Sequence, residues 1–267
     1  MTTDHTLIDA GTIEHALTIP TELFRRDNHA IYWIGLHEES HFRCNNYLLI
    51  SGHRSILIDP GSRAHFAQSL SRVAEIMPPT EVTDLIISHQ DPDVGASMVD
   101  WLDLNPDMRI VTSSRAHVLL PYFGKRDYQW LDIAGGEHIG LDHGATLRFI
   151  TSPFLHSPAA FTTYDPVSQF LFSGDIWAAI SSDWTLMVQD FATHRTDMDK
   201  FHLHYMSCNR ACRSFIDKLA EINIEAILPQ HGSLIGAEMV AEAIDYLRHL
   251  RCGLDLEQPE LTRHPPL

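Results

Sequence analysis

Three cation-binding side chains, His89, Asp91 and Asp93, stand within five residues directly behind the apolar run Leu85-Ile86-Ile87-Ser88. That adjacency constrains the chain strongly: a buried strand ends where a polar loop gathers donors. In extended backbone, residues i, i+2 and i+4 project to one side, so the three side chains converge while Gln90 and Pro92 point away. Gly95 opens a helical pattern, which sets the loop between a strand and a helix N-terminus with free backbone N–H groups nearby. Taken alone, the string is equally readable as a solvated polar turn.

Around this loop the chain alternates short apolar runs with helical spacing. Ala30 to Ile34, Asn46 to Ile50 and Ser55 to Ile58 read as a strand meander, with Ser51-Gly52-His53 as a turn. Asp59-Pro60-Gly61 breaks it, and Phe66, Leu70, Val73 and Ile76 keep helical spacing until Pro78-Pro79. Met98 to Leu102 is again helical, Arg109 to Thr112 a strand, and Arg115 to Leu120 a short helix. After a stretch containing Gly135, Gly136, Gly140 and Gly144, Thr146 to Ile150 and Gln169 to Phe172 read as strands of a second sheet. A helix with Cys212, Phe215, Ile216 and Leu219, the strand Glu225 to Leu228 and a helix striped by Met239, Val240, Ala243, Ile244, Leu247 and Leu250 follow. Strands in two groups, each followed by helices, predict two sheets packed face to face under outer helices. Residues 1–28 are polar and read as an extension on the outside, 29–254 as one compact domain, and 255–267 as a tail.

Composition removes several function classes. With 44% hydrophobic residues in 267, a sizeable core is available, yet no run approaches the roughly 18 apolar residues of a membrane span. The start, Met1-Thr2-Thr3-Asp4-His5, lacks the basic and apolar regions of a signal peptide, so the cytoplasm is expected. A formal net charge of -16 argues against nucleic-acid or anionic-membrane partners, which require a positive surface. Cys44, Cys208, Cys212 and Cys252 form no C-x-x-C pair. They read as small thiols, with Cys208 and Cys212 a conceivable redox pair on one helix face.

Three further strand ends carry donors: His156 in Pro153-Phe154-Leu155-His156-Ser157, Asp175 in Phe172-Ser173-Gly174-Asp175, and His231 in Pro229-Gln230-His231-Gly232. Each alone is a commonplace turn residue; their order together is not. The chain resembles the metallo-β-lactamase superfamily, whose motifs run H-x-[HED]-x-D, His, Gly-Asp and His-Gly, over about residues 30–252. Asn45 to Ile50 and Leu57 to Gly61 are similar to its opening strands. The resemblance implies an α/β fold: an αββα sandwich of two mixed β-sheets with helices outside.

Zinc hydrolases of this fold usually offer H-x-H-x-D-H, whereas Asp91 puts a hard carboxylate oxygen where their second histidine stands, shifting preference from zinc toward iron or manganese. This resembles the flavodiiron and oxygen-binding di-iron branch, with its H-x-E-x-D-H motif. Carried over by position, His89, Asp91 and His156 hold a first metal, Asp93 and His231 a second, and Asp175 bridges them. Asp91 is one methylene shorter than the usual Glu, and Val94 stands where a histidine would bind the second metal. The second metal then keeps an open position beside Val94, for water, O2 or substrate, or else is weakly held or missing. By resemblance, Asp59 is the acidic partner that holds a ligand histidine through its other ring nitrogen. Trp177 and Tyr205 either roof the pocket or pack in the core, and residues 176–196, with Trp184 and Met187, make a long connection over the site. His37 and His41, ahead of the second strand, are not assigned to it.

The resemblance implies a protein with two iron ions that binds or reduces O2, NO being a further substrate, either as a sensor or as a reductase. The chain ends soon after the last helix of the superfamily, so the flavodoxin domain and its FMN are expected to be absent and electrons to come from an external donor. A homodimer is expected from the multi-domain relatives. The alternative is a zinc or manganese hydrolase in which metal-bound hydroxide attacks an ester, thioester or lactam.

Overall fold

From Thr21 to Ile58 short β-branched and aromatic runs form four strands, with tight polar turns at Asp27-Asn28 and Gly52-His53. β1 (Thr21–Arg26), β2 (His29–Gly35), β3 (Asn46–Ser51) and β4 (Arg54–Ile58) pair antiparallel in sequence order. β5 (Asp84–Ile86), β6 (Arg109–Thr112) and β7 (Gln129–Asp132) then add in parallel, completing a seven-stranded mixed sheet. The crossovers carry helices α1 (Phe66–Ile76), the single turn α2 (Pro92–Gly95), α3 (Met98–Leu104) and α4 (Ser114–His117). The second sheet has five strands in the order β12 (Ile235–Gly236), β11 (Ala226–Pro229), β10 (Phe170–Gly174), β9 (Phe161–Asp165), β8 (Arg148–Thr151). Helices α5 (Phe191–Tyr205), α6 (Asn209–Lys218) and α7 (Ala237–His249) accompany it. This computed structural model describes residues 19–35, 41–125, 127–135 and 138–257.

Side-chain alternation builds the layers. Along β3, β4, β10 and β11 successive residues face opposite sides. Tyr47, Leu49, Ile56, Ile58, Phe170, Phe172, Ala226 and Leu228 share the cluster between the sheets. Their neighbours Leu48 and Leu57 face the first helical layer with Val73 and Trp101. Leu171 and Ile227 face the second layer with Phe201, Phe215 and Leu247. Three apolar interfaces, with strands buried on both faces, give the αββα sandwich expected from the sequence.

Several boundaries differ from the sequence reading. β1 lies inside the 28 residues read as an extension, and pairs along β2 from Thr21↔Trp33 to Arg26↔His29. α5 begins within the connection expected over residues 176–196, where Asp190 caps it by accepting from the Thr193 N–H at 2.8 Å. Trp184 stacks on Trp33, with ring centroids 5.9 Å apart, in the inter-sheet core rather than over the donors. Cys208 precedes α6, and Cys212 meets Cys252 instead, Sγ to Sγ 4.0 Å. Among the described residues no helix is long and apolar enough to cross a membrane.

Candidate metal centre

The donors come from strand exits on one edge of the sandwich. His89 follows β5 by three residues, Asp175 directly follows β10, His231 follows β11 by two, and His156 sits in the β8–β9 connection. Asp91 occupies the position before α2, and Asp93 lies in its only turn. That turn replaces the extended backbone expected after His89, so the three motif side chains do not meet at one point. His89 and Asp91 join His156 and Asp175, while Asp93 joins His231.

The first group is tight. His156 Nε2 lies 3.2 Å from Asp91 Oδ2 and 3.0 Å from Asp175 Oδ2, and His89 Nε2 lies 3.7 and 3.4 Å from the same two atoms. In the second, His231 Nε2 is 3.3 Å from Asp93 Oδ2 and 3.7 Å from Asp175 Oδ1. Asp175 therefore turns one oxygen to each group. Its Oδ1, His89 Nε2 and His231 Nε2 are buried without a hydrogen-bond partner, a state that ordinarily costs about 1–3 kcal/mol each. Two carboxylates about 4 Å apart repel by roughly 4 kcal/mol at an effective dielectric near 20, and three converge here. Orphaned nitrogens and crowded carboxylates around one point fit a pair of cations.

Protons occupy the place of those cations in the electrostatics of the bare chain. Burial pushes His156 down, but hydrogen bonds and charge from Asp175 and Asp91 outweigh it and raise the imidazole to about 10. Burial likewise opposes, and Asp175 and Asp91 produce, the upward shift of His89. His231 is raised well above its ordinary value against burial, by the Cys44 sulfur, Asp93 and Asp175. Asp175 lies well below the carboxylate range because His89, His156 and His231 overcome its desolvation. The hydrogen bond from His156 leads in lowering Asp91.

Neighbouring side chains fix the rings. Asp59 was expected to hold a ligand histidine by its second ring nitrogen. Instead its Oδ1 accepts the Ser88 N–H at 2.9 Å, and Ser88 Oγ meets His89 Nδ1 at 3.1 Å. Asp59 thus anchors the backbone that carries His89, and burial raises its own carboxyl to about 6. Gln90 does not point away as expected. Its amide donates to Asp91 Oδ1 at 3.0 Å and its carbonyl accepts from Ser157 Oγ at 2.7 Å. Gln230 donates to the Asp93 carbonyl at 3.1 Å. Trp177 is fully buried, its indole donating to the Ala243 carbonyl at 2.8 Å and its backbone N–H to His202 Nε2 at 2.9 Å. It packs in the core. Tyr205 is 58% exposed, its ring set edge-to-face with His156 at a centroid distance of 5.9 Å and stacked on Phe201 at a centroid distance of 4.6 Å.

Sequence reasoning missed a short strap, Phe42 to Asn45. Phe42 stacks on the His231 ring with centroids 3.5 Å apart, and the Arg43 carbonyl faces His231 Nδ1 at 3.2 Å. Cys44 pairs with His231 in an isolated β-bridge, and its Sγ belongs to one cluster with Asp93 and His231. Val94 is fully buried in the apolar cluster of the first helical layer, with Ile87 and Met98. His41 is exposed; His37 lies outside the described residues.

Two mixed sheets under outer helices, with His and Asp donors at the strand exits, define a metallo-β-lactamase-like protein. Residues 42–232 match the model of the ODP family beta lactamase, and the chain belongs to that family. A chemotaxis sensor ODP, solved as its peroxy di-iron species, superposes with a TM-score of 0.79 at 30% identity, covering 88% of this chain and 97% of that one. The flavodiiron protein of Giardia intestinalis, at 19% identity and a TM-score of 0.76 over 85% of this chain and 58% of that one, shares the fold. The putative diflavin flavoprotein A 1 of Nostoc sp. (strain PCC 7120) is 27% identical over 191 residues, 71% of this chain and 33% of the relative. The chain spans about a third of the length of such curated relatives. Its core is of the ODP family type, with a fold shared by flavodiiron proteins.

Proposed function

We propose that this chain is an oxygen-responsive di-iron protein, a single domain that binds O2 at a histidine and carboxylate site and reduces it, or NO, where an electron donor is supplied. The observation that carries the reading is Asp175, which presents Oδ2 to His89 and His156 and Oδ1 to His231. A carboxylate so placed suits two adjacent cations, and Asp91 makes the first position hard enough to favour iron over zinc. His89, Asp91, His156 and Asp175 would hold one iron, and Asp93, His231 and Asp175 the other. When bound, such a pair of ferrous ions supplies the electrons for binding or reducing O2.

The chain's own residues prepare that site. Ser88 and Arg43 engage the Nδ1 atoms of His89 and His231, leaving Nε2 of each aimed inward. Phe42, Phe201 and Tyr205 cover the imidazoles with apolar rings, which limits water at the donors. Similarity to a chemotaxis sensor along 97% of that chain supports sensing as the role, ahead of catalytic reduction. A cytoplasmic homodimer is part of the proposal. The mass of the metal-loaded protein in solution should be twice 30.3 kDa, and a value of one chain would remove the dimer.

The visible spectrum of protein reconstituted anaerobically with ferrous iron, recorded before and after admission of air, tests the central claim. A new, long-lived band with two irons per chain is expected. No change beyond precipitated iron, with full occupancy by zinc or manganese, would transfer the site to the hydrolase reading.

A further inference from the structure

We propose that Cys44 supplies a thiolate donor to the second metal position, completing a set with Asp93, His231 and Asp175. The proposal rests on the di-metal reading above and adds to it a sulfur ligand that none of the sequence motifs contains.

Three observations converge on the Cys44 sulfur. It lies in a cluster with His231 and Asp93 in which one ligand atom from each residue falls within 4.8 Å of the others. The two deeply buried members of the second position, His231 Nε2 and Asp175 Oδ1, have no hydrogen-bond partner and stand 3.7 Å apart. Their unsatisfied atoms call for a cation in reach of Cys44. The thiol is also held in register with the imidazole: Cys44 bridges His231 through the backbone, and the Asn45 N–H donates to the Gln230 carbonyl at 2.6 Å. The Asn45 side-chain amide donates to the carbonyls of Pro229 at 2.9 Å and Gly232 at 2.8 Å. The strap thereby ties the residues on both sides of His231 to the residue after Cys44.

The donor count supports the same assignment. Without Cys44 the second position has one imidazole nitrogen and two carboxylate oxygens. The next candidate by chain position, Val94, is an apolar residue buried in the helical layer and offers no lone pair. With Cys44 the set becomes nitrogen, two oxygens and sulfur, against two nitrogens and two oxygens at the first position. Ligation replaces the S–H bond of Cys44 by a sulfur–metal bond, with the proton released to solvent and no change in oxidation state. The two positions then differ in softness. A thiolate favours borderline and soft cations, so the second position should take zinc, cobalt or ferrous iron more readily than manganese, while the first tolerates harder ions.

Anaerobic titration of the full chain with Co(II) separates this proposal from the one beneath it. Binding of two ions per chain, with a near-ultraviolet sulfur-to-cobalt charge-transfer band growing as the second ion binds, is expected. In Cys44→Ser the first ion should bind as before, the band should vanish, and affinity for the second should fall at least tenfold, the low end of the ~10–100-fold lost with outer partners alone. Cys44→His should restore the second ion without the band. Two ions with no band, or a band that survives in Cys44→Ser, would overturn the thiolate while leaving the di-metal site standing. No bound cobalt in the wild type would overturn both. Alkylation by iodoacetamide, mapped to the Cys44 peptide, gives a readout free of any variant's folding. Cobalt should protect Cys44 at least tenfold if its sulfur is a ligand, and equal rates with and without metal would refute ligation.

Discussion

Asp175 turns one oxygen to each half of the candidate site, and on the proposed reading this makes it the residue whose loss is least compensated. Three histidines hold its carboxyl well below the ordinary range, so removing its charge leaves them facing one another with one carboxylate fewer. Asp175→Asn keeps the volume and one oxygen but cannot bridge two cations as an anion. Metal per chain, measured by mass spectrometry after desalting, should fall from two to one or none; retention of two would contradict the bridging role. Asp175 and the other five candidate donors stand out in the sequence because they lie in the segments behind four strands, in a fixed order. Cys44 was not, since a cysteine ahead of a strand carries no periodicity and its partner His231 lies far along the chain. Asp59 was legible as a partner of the site, but its contact was misjudged. Its side chain reaches Ser88 N–H and leaves the His89 ring to the Ser88 hydroxyl.

At the scale of elements, the short apolar runs Ala30 to Ile34, Asn46 to Ile50 and Ser55 to Ile58, the last two parted by Ser51-Gly52-His53, announced the meander. β1 and α5 escaped for opposite reasons. Thr21–Arg26 is half charged and buries only Leu23 and Phe24, so its pattern looks like a surface segment. The buried face of α5 includes His194 and His202, whose imidazoles hide the helical period when histidine is counted polar. The Phe42 to Asn45 strap could not be read at all, because its contacts are backbone and side-chain hydrogen bonds to residues on β11 and beyond. Asn45 is its anchor: besides the two bonds its side-chain amide donates, its side-chain oxygen accepts from the buried Trp33 Nε1 at 2.9 Å. Asn45→Ala would strand the Gly232 carbonyl and the Trp33 indole N–H, the Pro229 carbonyl keeping the Tyr47 hydroxyl at 2.7 Å, with a loss of roughly 2–6 kcal/mol expected from two unsatisfied buried partners at about 1–3 kcal/mol each. Urea unfolding of the metal-free protein checks this, and a change below the low end would show that the strap is not structurally required. The same variant should weaken metal binding at the His231 position before it affects His89 and His156.

For the whole molecule the two sheets are held by apolar layers, and in the bare chain the carboxylates at their edge are balanced by protons on His89, His156 and His231, which a cation would displace. Metal should therefore stabilise the folded chain by linkage, about 2.7 kcal/mol when free metal stands at 100 times its dissociation constant. For a domain of this size that is a melting shift on the order of 5–10 °C. The pH dependence follows from His156. Its pKa is about 10 in the bare folded chain against an ordinary 6.5, so protonation contributes stability that is fully present below 6.5 and is lost as pH rises through 10. Metal binding needs the neutral imidazole and displaces that proton, so the loaded form gains affinity over the same window. The melting-temperature gap between cobalt-loaded and chelator-treated protein should widen as pH rises from about 6.5 toward 10. A gap that stays constant across two pH values inside that window would mean that His156 does not exchange its proton for metal, and one that is absent at both would mean that the folded site holds no cation.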